Sequence, residues 1–153
     1  MLQSSEPMNI ADMRREAEAG SCEAQSVLGA CYLHGEEVDT DYKEAFRYLS
    51  AAAEQGASRA ALNLGHMYAE GLGVSRNMPE AIRLYEAVGG SASSTDAFAA
   101  RIELGRMFAL GRGVPIDREV ALRWYSAAID VAPDADSEDL REARAYVAPV
   151  PHS

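Results

Sequence analysis

The dipeptide Leu-Gly occurs three times in register, as Leu28-Gly29, Leu64-Gly65 and Leu104-Gly105, at spacings of 36 and 40 residues. Each copy is followed by an aromatic residue, Tyr32, Tyr68 or Phe108, and then by Gly35, Gly71 or Gly111. A repeat of this length is one supersecondary unit that cannot bury its apolar face alone, so the copies must stack on one another. Stacks of this kind offer extended surfaces, which points to binding before catalysis.

The copies align as AQSVLGACYLHG (24–35), AALNLGHMYAEG (60–71) and ARIELGRMFALG (100–111). Ala24, Leu28, Cys31 and Tyr32 fall on one face of a helix, as do their equivalents Ala60, Leu64, Met67, Tyr68 and Ala100, Leu104, Met107, Phe108. A mid-helix glycine costs about 1 kcal/mol relative to alanine. Three at one phase imply a neighbouring helix that approaches too closely for a Cβ. Gly35, Gly71 and Gly111 suit left-handed helix ends. The loops after them carry Val38, Val74 and Val114 as plugs, then Asp41, Asn77 and Asp117 as N-caps of second helices. Asp41 with Glu44 and Asn77 with Glu80 have capping-box spacing, whereas Val120 takes that acid's place in the third copy. On the second helices the core positions are Ala45, Phe46, Leu49, Ala52; Ala81, Ile82, Tyr85, Val88; and Ala121, Leu122, Tyr125, Ala128. Trp124 stands where Tyr48 and Leu84 stand, and is expected in the core.

The ends read as caps. AEAGSCEA (17–24) matches AEQGASRA (53–60), which makes residues 9–19 a lone second helix over the first copy. Asp136 or Ser137 opens a last helix to 147, with Leu140, Ala143 and Val147 as its apolar stripe. Residues 1–8 are expected to be disordered, 149–153 to form a tail, and GGSASSTD (89–96) to form a flexible loop or bulge. A net charge of −10 argues against nucleic-acid or anionic-membrane partners. No run approaches the roughly 20 apolar residues of a membrane span, and the first residues lack a signal-peptide core, so a cytoplasmic location is expected. Cys22 and Cys31, nine residues apart on one helix, are too far apart for a disulfide.

The pattern A-x3-L-G-x2-Y/F-x2-G-x-G-V-x2-D/N-x2-E-A resembles the Sel-one-like repeat (SLR), a relative of the tetratricopeptide repeat. The resemblance implies an all-α fold, an α-α superhelix: a right-handed solenoid of about three helical hairpins. These would span about 22–56, 58–90 and 97–131, with capping helices at about 9–19 and 136–147, in one domain from 9 to 148. Glu37 departs from the second glycine of the pattern and Val120 from its acid.

Members of such a family generally serve as adaptors or scaffolds, so this chain is expected to be a bacterial protein-binding adaptor rather than an enzyme. The first helices of such stacks line a concave wall. Keeping the glycine register, the partner-binding residues would be Glu23, Ser26, Ala30, Leu33, His34, Arg59, Leu62, His66, Glu70, Ile102 and Arg106. The expected partner is an unidentified protein or peptide, held by a monomer with no cofactor and no metal. A second reading is a dedicated inhibitor, immunity protein or chaperone of one partner. A hydrolase is the remote third: His34 and His66 lack a nucleophile beside them, and His152 sits in the tail. The only lysine, Lys43, has Thr40 where an S-x-x-K motif needs serine.

Overall fold

The computed structural model describes residues 9–90, 94–132 and 135–151. The start expected to be disordered (1–8), residues 91–93 of the expected loop and His152 lie outside the described residues. Among the described residues there are eight helices and no strand: α1 (Ile10–Glu18), α2 (Cys22–His34), α3 (Tyr42–Glu54), α4 (Ser58–Glu70), α5 (Met78–Gly89), α6 (Thr95–Leu110), α7 (Arg118–Val131) and α8 (Glu138–Val147). They fall into two compact units, Met1–Asn77 with α1 to α4 and Met78–Ser153 with α5 to α8. The boundary lies after α4, inside the second repeat.

Local chemistry explains where these helices start and stop. Asp41 caps α3 through the Lys43 and Glu44 amides, and Asp117 caps α7 through the Val120 amide. Ser137, not Asp136, caps α8 by accepting from the Leu140 amide. The left-handed ends are Gly35, Gly71 and Gly111, with φ of 71°, 72° and 68°. The Asp41 capping box does not close. Glu44 turns to Arg47, while the Asp41 amide donates to the Tyr32 carbonyl at 3.0 Å. The same backbone tie recurs from Asn77 to Tyr68 and from Asp117 to Phe108, both at 2.9 Å. Because a carbonyl in the last turn of the preceding helix already satisfies that amide, the third repeat can place Val120 where the other two have an acid.

In the N-terminal unit, α2 packs against α1 and α3, and α3 packs against α4. Leu28, Ala45, Leu49, Ala52, Ala60 and Met67 are fully buried, with Tyr32 and Tyr48 stacked at 6.1 Å between centroids. The capping helix is held by polar contacts. Glu18 of α1 accepts from Arg47 at 2.9 Å and from the Tyr48 hydroxyl at 2.7 Å, and buried Gln25 donates to the Ala17 carbonyl. In the C-terminal unit, α6 packs against α5 and α7, and α8 against α7. Arg101 of α6 donates to the Gly89 and Ala127 carbonyls at 2.7 and 2.9 Å, which serves the ends of both flanking helices.

Two of the repeated glycines, Gly29 and Gly105, are notches. A Cβ on Gly29 would meet the Leu49 side chain at 2.6 Å, and one on Gly105 would meet the Tyr125 ring at 2.7 Å. A different contact explains the loop glycines. Gly73 lies against Tyr42 and Gly113 against Met78, so neither has room for a side chain. Glu37 adopts the same left-handed backbone, φ 63°, but is exposed, so the departure leaves the loop geometry intact and incurs only the backbone strain.

Four expectations about the core are corrected: Phe46, Ile82 and Leu122 are half-buried, and so is Trp124. Tyr48 and Leu84 are buried at 2% and 6% exposure, but Trp124 in their register is only half-buried. Its ring is larger than either, and its edge passes over the bare Cα of Gly89 instead of filling the core.

Two stability predictions follow from these contacts. Gly105→Ala gains about 1 kcal/mol of helix propensity but must displace Tyr125, an overpacking that costs about 1–3 kcal/mol. A net loss is expected, seen as a lower melting temperature and weaker protection of α7 amides from hydrogen exchange. Glu37→Gly is expected to act oppositely. It relieves roughly 1–2 kcal/mol of left-handed strain, partly offset by a looser unfolded chain, so a small gain in denaturant midpoint should be measured.

Candidate functional site

Helices α2 and α4 adjoin, and α3 packs against both. On α2, Glu23 and His34 are exposed while Ser26 and Ala30 are half-buried. On α4, Arg59, His66 and Glu70 are exposed and Leu62 is half-buried. Eight of the eleven residues expected from the register therefore reach solvent on one pair of neighbouring helices. Val27, 43% exposed on α2, belongs with them and was missed. Its one-residue offset from Ser26 was the available signal, since the apolar stripe of α2 already occupied Leu28.

The other three residues are not available to a partner. Leu33 is 5% exposed and lies in the N-terminal core with Leu28 and Tyr32. Ile102 is 1% exposed and packs with Tyr125, Ala143, Tyr146 and Val147. Arg106 is held by three carboxylates, those of Glu103, Asp139 and Glu142. The reason is α8. It lies beside α6 as a further first helix would, and covers the side of α6 that the register assigned to the wall.

The tie that seats α8 is explicit. Arg106 donates to Glu142 at 2.7 Å, and the Tyr125 hydroxyl donates to the same carboxylate at 2.7 Å. The Arg106 hydrogen bond, more than any other contact, holds the Glu142 carboxyl below its ordinary range, against a smaller opposing effect of burial. Burial first, and then the Glu142 carboxylate, push the Tyr125 phenol upward.

These groups have little chemistry to offer beyond recognition. His34 and His66 stand on the surface without a side-chain hydrogen bond among the described residues. The Cys31 thiol is buried, and that burial raises its pKa, so it is a poor nucleophile. Cys22 donates weakly to the Ala52 carbonyl, and both cysteines are free. Among the described residues no cluster of three metal-ligating side chains occurs, and no helix is long and apolar enough to cross a membrane.

Comparison with known proteins bears on this arrangement. The Sel1 repeat pattern matches residues 22–56, 58–87 and 99–130, which is more than half of the chain. The chain belongs to the Sel1 repeat family. A Sel1 repeat protein from Oxalobacter formigenes superimposes with a TM-score of 0.67 at 28% identity, covering 84% of this chain and 49% of that one. A protective antigen of uropathogenic Escherichia coli with an SLR fold gives 0.71 at 30% identity, covering 81% of this chain and 26% of the antigen. The fold is therefore the all-α SLR solenoid. DAP3-binding cell death enhancer 1 of Rattus norvegicus is 36% identical over 74 residues, covering 48% of this chain. This chain spans about a seventh of that relative's length.

Sel1 repeat proteins are generally protein-interaction scaffolds. In this one the Glu142 tie makes the seating of the last helix pH-dependent. Its native carboxyl titrates below the ordinary 4.5, so the stabilisation is complete above that value and is lost as pH falls through the lower native value. Glu142→Gln is expected to lower stability at pH 7. It should also flatten the acid limb between about pH 5 and pH 3 in denaturant titrations across that range.

Proposed function

We propose that the chain is a scaffold that holds a segment of a partner protein against the exposed faces of α2 and α4. The observation that carries this reading is the surface made by Ala30, Leu62 and Val27 among Glu23, His34, His66 and Glu70. Apolar side chains remain on these faces after the stack has buried its core. Polar neighbours border them, an arrangement common to peptide-recognition grooves. The matched repeats support the reading, as does a relative named for binding DAP3. The compartment we propose is the cytoplasm, with which two unpaired thiols are compatible.

The test is a photo-cross-linking residue placed at Leu62, compared with one at exposed Arg141 on α8. The Leu62 probe is expected to trap a protein from extracts of the source cells that the Arg141 probe does not. Leu62→Glu combined with His66→Glu should weaken binding of that protein at least tenfold. Both sites reach solvent, so the melting temperature should stay within about 3 °C of the parent's. Unchanged affinity in the double variant would remove α2 and α4 from the interface.

A further inference from the structure

Departures from the repeat pattern converge in space in the C-terminal unit. A slot of about 480 Å³ in the C-terminal unit is lined by Glu86 of α5, Phe108 of α6, and Val120, Arg123, Trp124 and Ala127 of α7. Two of these six residues, Val120 and Glu86, depart from a residue type the other two repeats share, and Trp124 and Phe108 are the aromatic variants of their positions. Val120 replaces the acid of Glu44 and Glu80, and Trp124 replaces Tyr48 and Leu84. Glu86 stands where Ser50 and Ser126 stand, and Phe108 lacks the hydroxyl of Tyr32 and Tyr68.

These changes have linked physical consequences. In the first two repeats the arginine one turn on is neutralised within its own helix, as Arg47–Glu44 and Arg83–Glu80. With Val120 in the acid's place, Arg123 keeps its charge exposed and has no ion-pair partner among the described residues. Glu86, also exposed, likewise has none. Val120, Phe108 and the half-buried indole of Trp124 make the space between these charges apolar. The change at 120 is not required by the helix start, because the Asp117 amide and its carboxylate both have their backbone partners without an acid there.

We infer that this slot is a second recognition site, separate from the α2 and α4 faces. Its occupant is a segment of another protein that places apolar side chains between an acidic and a basic residue. The acid pairs with Arg123, the base pairs with Glu86, and the apolar side chains pack on Trp124 and Phe108. The volume accommodates two or three side chains.

Trp124 is the only tryptophan in the chain and therefore reports directly on the slot. The probe is the blocked peptide Ac-Asp-Leu-Leu-Lys-Asp-Leu-Leu-Lys-NH2, which contains no aromatic residue, compared with a version carrying Gln at every charged position. The charged peptide is expected to shift Trp124 emission saturably, and the neutral one to bind at least tenfold more weakly. Val120→Glu, which restores the residue of the other repeats and the pairing of Arg123, should weaken the charged peptide by a similar factor. Circular dichroism should show its helix content unchanged. Arg123→Gln, at an exposed position, should do the same and serves if Val120→Glu disturbs the fold. No saturable response, equal affinity for the two peptides, or full affinity in Arg123→Gln would each overturn the proposal. None of these outcomes bears on α2 and α4, whose variants are read separately.

Discussion

The close approach of paired helices through a missing Cβ is the contact on which each unit depends. At Gly29 the partner is an aliphatic side chain, Leu49, and at Gly105 an aromatic ring, Tyr125, yet both notches leave the same gap of under 3 Å. Leu28 and Leu104, beside these notches, are completely buried. The propensity lost at the glycines is offset by dispersion contacts that a wider spacing would forfeit. Everything around the notch follows from holding that distance. The second helix starts where the helical carbonyl of Tyr32, Tyr68 or Phe108 meets the amide of Asp41, Asn77 or Asp117 just before it.

That backbone tie has a consequence for side chains. An amide satisfied by a carbonyl three-dimensionally fixed by the fold makes no demand on the residue at the capping-box position. Glu44 and Glu80 each pair with the arginine three residues on. The position is free to vary, and in the third repeat it has changed to valine. Repeat proteins tolerate such changes because the hairpin's framework lies in the backbone and the notch, which leaves one helix face per repeat open to specialise.

The buried skeleton was legible because its signal is periodic. Ala24, Leu28 and Cys31, and their counterparts in the other two copies, announce a packed face by spacing alone, and all nine are buried. The left-handed glycines and the Asp41 and Asp117 caps were equally readable, since short-range backbone chemistry determines them. Exposure was harder to read. The register that places Leu62 in half-open space places Ile102 in the core, and the difference is made by α8, a helix some 40 residues further along the chain. Arg106 and Leu33 misled for the same reason: a helix that packs on several sides has fewer free positions than a single amphipathic stripe suggests. Trp124 erred in the opposite direction, because alignment with Tyr48 and Leu84 carries no information about ring size against the space at Gly89.

The first and last helices are seated on their neighbours by the same device. At one end Glu18 accepts from Arg47 and the Tyr48 hydroxyl, and at the other Glu142 accepts from Arg106 and the Tyr125 hydroxyl. In each case a glutamate on the cap meets an arginine–tyrosine pair on the repeats. A purely apolar cap would bury similar area but would leave its orientation to packing alone. A carboxylate shared by guanidinium and phenol adds a directional constraint, because both donors must point at one group. The cap's rotation about its own axis is thereby determined, and with it which residues turn outward. Arg106 is committed to this task and is not free to meet a partner.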